Sequence, residues 1–170
     1  FSRASVNASC VPSVRVPVPS AALGSAAPPA VPLDVLFLIH ERIEAVLRAV
    51  CQQLGVQEAV FPGIATAFGG GIGGTGSVCG ALVGAVMAIG IRYGRRDPSE
   101  RDARAYALTQ ELRRRFEAEM GHVDCRELTG MDLSTPEGVK RFYGSDVPRT
   151  VCLPAVGVAY RTAMDLLQRN

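Results

Sequence analysis

Lysine is almost missing from this chain of 170 residues: Lys140 stands alone among 18 basic residues, and the rest are arginines. With 16 acids the net charge is only +2, too balanced to argue for nucleic acid, and none is expected as a partner. The arginine bias reads as composition or heat tolerance rather than as a binding code. Aromatics are scarce at 6%, against 48% hydrophobic residues, so Ala, Val, Leu and Gly must fill the interior, which suits closely packed helices. No CxxC and no zinc-finger spacing occurs, and the absence of CxxCH argues against covalent haem. No lysine follows the glycine-rich stretch, which excludes a P-loop. With only His40 and His122, no Ser-His-Asp set stands out. No convincing alternating strand and no internal repeat is visible.

Charge is missing from two long windows. Residues 1–33 hold Arg3 and Arg15 but no acid, with many Ser, Ala and Pro and no apolar periodicity; they read as an irregular or disordered arm. The arm resembles an organelle transit peptide in composition, and an upstream extension with the start near Val31 is an equal alternative. A compact secretory apolar region is missing, and a cytoplasmic location is expected. The second window, residues 59–91, carries no charge at all. Its glycines divide it and leave an apolar stretch too short for a comfortable span. A buried hairpin is expected, with membrane association through 59–91 the lesser alternative.

From Asp34 onward the pattern is helical, and the expected fold is an all-α, single-domain helical bundle over 34–170. Leu36, Ile39, Ile43, Val46, Leu47 and Val50 recur at helical spacing, and Gly55 ends that helix. A shorter helix covers 58–68. A third runs from Ser77 to Gly94, its small-residue series Gly80, Gly84 and Ala88 suited to tight contact. "DPSE" gives Asp97 as N-cap, Pro98 at the first helical position and Glu100 as capping-box partner of a helix that reaches Met120 and stops at Gly121. Asp124 and Glu127 repeat the box, and Pro136 and Pro154 open two last helices. Arg113, Arg114 and Arg115, followed by Glu117 and Glu119, read as a solvated helix face.

"GGGIGGTGSVCG", residues 69–80, lies between the second and third helices. Gly71, Gly73 and Gly76 match GxGxxG, with Asp97 at the distance of a ribose-binding acid, but no βα unit surrounds them. Two readings remain. The glycines form a nest of N–H groups around a thiolate at Cys79, or they merely let two helices approach, with Cys79 a small buried spacer. Cys125, after Asp124, and Cys152, two residues before Pro154, also sit where a helix starts and a thiolate is favoured. Cys10, Cys51, Cys79, Cys125 and Cys152 make an odd, widely spaced set, a poor disulfide framework, and scattered cysteines are commonly buried small hydrophobes.

The stretches "ATAFGGGIGGTGSVCGALVGAVMAIGIRYGR", "FEAEMGHVDCRELTGMDL" and "VCLPAV" resemble the C_GCAxxG_C_C family of proteins described as redox-active, over roughly 34–167. The resemblance implies a helical protein with four cysteines. A related module in split-Soret cytochromes is linked to an iron–sulfur centre. Carried over by position, Cys79, Cys125 and Cys152 are the second, third and fourth family cysteines. The first is replaced: the family's Cys-Ala-Gln-Ala-Val-Leu reads "RIEAVL" here, with Arg42 in the cysteine's place. Cys51 lies nine residues on, which at about 100° per residue is half a turn out of phase, so it is expected in the core.

The resulting expectation is a small redox protein. Cys79, Cys125 and Cys152 would work by thiol/disulfide exchange or hold an iron–sulfur cluster or other metal, His122 being a further candidate ligand through its H-x-x-C spacing. Gly69, Gly70, Gly71, Gly73 and Gly76 would cradle the cofactor. His40 has the same weak claim as His122, and Cys10 would have to reach the site from the arm. A redox partner protein or a homo-oligomer fits this reading. The alternative, favoured by Arg42, is a redox-inert structural or partner-binding bundle of the same descent.

Overall fold

The computed structural model describes residues 42–56, 61–100 and 103–169. The arm at 1–33, Cys10, Asp34 and His40 lie outside them. The described residues form seven α-helices: α1 (Arg42–Gln53), α2 (Phe61–Thr66), α3 (Gly80–Tyr93), α4 (Arg104–Met120), α5 (Cys125–Thr129), α6 (Pro136–Tyr143) and α7 (Leu153–Gln168). A π-helical turn, Pro148–Cys152, leads directly into α7. No strand occurs among the described residues, only one antiparallel bridge, Val78 with Asp124. The fold is all-α, and its core is an assembly of α1, α3, α4 and α7.

Composition explains why these four helices come so close. α3 turns Ala81, Ala85, Ala88 and Ile89 into the core, where they meet Val46, Leu47 and Val50 of α1, Leu112 and Phe116 of α4, and Val156, Ala159 and Ala163 of α7. The glycines set the α1–α3 crossing. A methyl group at Gly84 would strike the carbonyl oxygen of Ile43, and one at Gly80 would lie 2.5 Å from the Ile43 Cγ1. The part of the uncharged window that forms α3 therefore packs into the core, while Ile64 and Ile72 before it are exposed. α3 has 14 residues, about 21 Å at 1.5 Å each, and no helix among the described residues is long and apolar enough to cross a membrane.

Several helix ends follow the local signals. Gly121, at φ 84°, closes α4 and donates its N–H to the Glu117 carbonyl at 2.8 Å. Thr135 caps α6 by accepting from Gly138 N at 3.1 Å, with Pro136 following. The start of α4 departs from expectation. Asp97 does accept from Ser99 N at 2.8 Å, and Glu100 accepts from Arg96 N at 2.8 Å, but these bonds close an isolated turn, and α4 begins at Arg104. Arg115 is more than part of a solvated face. It bonds Glu111 at 2.6 Å on its own helix and Asp165 at 2.7 Å on α7, and Arg161 returns the link to Glu119 at 2.9 Å.

Candidate functional site

The glycine loop is built on left-handed backbone. Gly70, Gly71, Ile72, Gly73 and Gly74 are consecutive residues with φ between 57° and 81°. Glycine adopts that region without penalty, and a β-branched residue does not; Ile72 is the one exception, held from both sides. The coil closes on itself. Ile72, Gly73, Gly74, Thr75, Gly76 and Ser77 donate their N–H groups in turn to the carbonyls of Phe68, Ala67, Gly69, Ile72, Gly70 and Gly71. The Thr75 hydroxyl lies 2.7 Å from the Gly71 carbonyl oxygen, to which it donates. These six amides are thus spent on carbonyls inside the loop, which bears on the first of the two readings of the glycines, a nest of N–H groups around Cys79.

The loop instead presents Gly76–Cys79 as an extended edge. Cys79 N–H donates to Val123 O at 2.8 Å, Cys125 N–H to Ser77 O at 2.7 Å, and Arg126 N–H to Gly76 O at 2.9 Å. This bonding brackets the Val78–Asp124 pair and places Cys79 and Cys125 on the same face of the bridge as diagonal neighbours. Such neighbours stand about 7–8 Å apart. Gly71 must lack a side chain here, since a Cβ would lie 2.8 Å from the Cys125 Cβ. Arg126 fastens the loop from outside, donating to Asp132 at 2.8 Å and to the Thr75 carbonyl at 3.4 Å. Hydrogen bonds from Ser134, aided by the Arg126 charge, hold the Asp132 carboxyl below its ordinary range.

Cys152 arrives from the other side, at the end of the π turn that packs on α5. Cys79, Cys125 and Cys152 line one cavity together with Ile43, Leu128 and Thr129. All three thiols are buried, at 5–7% exposure, and none of the four described cysteines is in a disulfide. Cys51 is not in the cavity lining. It is wholly covered in the core, and burial pushes its thiol up to about 12.

The three helix starts are unequal. Cys79 is the true N-cap of α3, with extended ψ 128°. Cys125 is the first residue of a five-residue helix. Cys152 has helical dihedrals inside a continuous helical run, and the N–H of the next residue, Leu153, is taken by the Pro148 carbonyl. Pro154 does stand at the start of α7, as expected, but the π turn from Pro148 runs straight into that helix, so only Cys79 keeps the full dipole of a long helix.

Other expected participants fall elsewhere. Gly69 and Gly70 line the cavity, whereas Gly71, Gly73 and Gly76 do not. Gly76 lies under Arg126, and the atom nearest a Cβ on Gly73 would be Ala67 O at 4.0 Å. His122 is exposed and outside the lining. Ile43 and Thr129 escaped the sequence reading. Thr129, whose hydroxyl donates to the Cys125 carbonyl at 2.7 Å, looks in sequence like an ordinary helix end. Ile43, beside Arg42, gave only a core signal.

A cluster does not fit this arrangement. The cavity offers water-sized molecules about 30 Å³, where about 10–15 Å³ holds one. An iron–sulfur centre needs four protein ligands around several atoms, and the cavity lining holds three cysteines. Among the described residues no three His, Cys, Asp or Glu side chains are grouped to hold a metal ion.

Neither the curated proteins nor the solved structures contain a match to the chain. The family model described as "Putative redox-active protein (C_GCAxxG_C_C)" matches residues 43–166. That span takes in α1 from Ile43 onward, the glycine loop, the bridge, the π turn and all three cavity cysteines, and the chain belongs to the C_GCAxxG_C_C family.

Proposed function

We propose that the protein is a dithiol/disulfide redox protein whose working groups are Cys79, Cys125 and Cys152. The observation that carries this reading is their convergence: three thiols from three distant parts of the chain line one small cavity. Buried cysteines serving only as spacers have no reason to share a cavity wall. Cys79 is the thiol best placed to ionise, because the N-cap of a 14-residue helix favours a negative charge. Its partner is one of the other two. Forming the bond requires Cα atoms within about 7 Å. A redox partner protein that re-reduces the pair, and self-association, are compatible with this reading.

The test is a thiol count on the full chain, reduced and purified without oxygen. After mild oxidation with diamide, two thiols are expected to disappear and return with dithiothreitol. Peptide mapping should find the bond among residues 79, 125 and 152, with Cys51 untouched. Failure of Cys51, Cys79, Cys125 and Cys152 all to react up to the unfolding transition would support the redox-inert bundle instead. Stoichiometric iron and sulfide with a visible spectrum in the anaerobic sample would replace the dithiol reading by a cluster.

A further inference from the structure

The dimensions of the cavity limit what can oxidise it. At about 30 Å³ there is room for two water-sized molecules and little more. The cysteines behind it are residues only 5–7% exposed, so the disulfide of another protein, a flavin, a quinone or a reagent such as diamide reaches a sulfur only when the site opens. The rim is formed by half-buried Gly69, Gly70, Leu128 and Val151, and no side chain on the first two narrows it. Few two-electron oxidants are this small. Dioxygen fits but does not accept an electron pair from a thiolate directly, because its ground state is a triplet. A hydroperoxide the size of hydrogen peroxide has two heavy atoms and reacts with a thiolate by closed-shell substitution.

We propose that the cavity admits hydrogen peroxide as its oxidising substrate, with Cys79 as the attacking thiol and Cys125 or Cys152 as the resolving one. This rests on the dithiol reading above and names its substrate. The Cys79 Sγ attacks one peroxide oxygen and the O–O bond breaks. The departing hydroxide takes a proton and leaves as water, and Cys79 becomes a sulfenic acid. The second thiol loses its proton and attacks the Cys79 Sγ. The S–O bond breaks, the hydroxide takes that proton, and a second water leaves. Two thiols have given two electrons to one O–O bond, and one disulfide and two waters result. Cys79 is assigned the attack because it alone of the three caps a long helix from extended backbone. Ile43 is the discriminating residue: it lines the cavity beside Cys79 and Gly80, and its side chain lies directly against Gly80.

The experiment uses the reduced full chain and compares rates of thiol loss with hydrogen peroxide and with tert-butyl hydroperoxide. The ratio is referred to that of the same protein unfolded in guanidinium, which removes the intrinsic reactivity difference. A preference for hydrogen peroxide at least about tenfold above the unfolded reference is expected, since even one extra methylene in a fitted pocket is worth about tenfold or more. Ile43→Ala should reduce that preference. In a chain carrying both Cys125→Ser and Cys152→Ser, dimedone should label Cys79 after peroxide treatment. A folded ratio equal to the unfolded one, or dimedone on another cysteine only, overturns the proposal. If diamide forms the disulfide while peroxide does not, the substrate assignment falls and the dithiol reading stands. If neither reagent oxidises the folded chain, both fall.

Discussion

The four described cysteines show how far one side chain's chemistry depends on its surroundings. Cys51 and Cys79 both belong to the main core, yet Cys51 is sealed among apolar side chains while Cys79 opens on a cavity. The Cys51 thiol, pushed to about 12 by loss of water from an ordinary value of 9.0, stays protonated in the folded chain where the unfolded chain has already lost its proton. Its raised value therefore contributes stability that is whole below about pH 9 and is lost as pH rises toward 12. The expected slope reaches about 1.4 kcal/mol per pH unit inside that window. Denaturant unfolding of the wild type and of Cys51→Val between pH 8 and 11 measures it, and the variant's curve should be flatter. An identical slope in both would show that other groups, such as the buried and likewise raised Tyr160, carry the alkaline loss. The sequence already set Cys51 apart, because helical phase is a local property. It could not rank Cys79, Cys125 and Cys152, because a π turn before Cys152 and the shortness of α5 leave no compositional mark.

Elements were legible where their signals act within a few residues. Gly121, Pro136 and the apolar face of α1 all fixed their helix ends or faces through neighbours in the chain. Asp97-Pro98 misled for the same reason. Its side-chain bonds form as written, but nothing apolar at 97–100 packs against the bundle, and all four residues are exposed. A cap without a buried face stabilises a turn, not a helix. The Gly76–Cys79 edge and its partner at 123–126 were not legible, since neither is long or alternating enough to announce pairing. The glycines of α3 were legible as small residues, and the structure divides them by function. Gly84→Ala places a methyl against the Ile43 backbone, which cannot rotate away, and should destabilise by about 1–3 kcal/mol. Gly90→Ala meets nothing within 4 Å and should stabilise by about 0.5–1 kcal/mol through helix propensity. Paired melting curves decide this. A similar loss at both positions would mean that propensity and open space do not govern α3.

At the scale of the whole molecule, the site is a consequence of topology. α1, α3 and α7 bring their ends together because small residues let them pack closely, and the cavity lies where the loop edge, α5 and the π turn close over those ends. The order Cys79, Cys125, Cys152 in the chain gives no hint of this, since the intervening segments are tens of residues long. The same separation makes oxidation a global event. A bond from Cys79 to either partner closes a loop of roughly 45–75 residues, and removing that loop's freedom from the unfolded chain is worth about 4 kcal/mol. Any strain that the bond places on the native geometry subtracts from this. Oxidised protein should therefore resist denaturant more than reduced protein, by between about 1 and 4 kcal/mol, with a smaller dependence on denaturant concentration because the cross-linked unfolded chain exposes less surface. Matched unfolding curves of the reduced and oxidised chain measure both quantities. The stability difference also reports the pair's redox poise, because whatever the bond adds to folding, folding adds to the bond. A folded state that makes the disulfide harder to reduce than in the unfolded chain marks a pair that rests oxidised. An oxidised form less stable than the reduced one would instead mark a strained, oxidising disulfide that passes its electron deficit on to a partner.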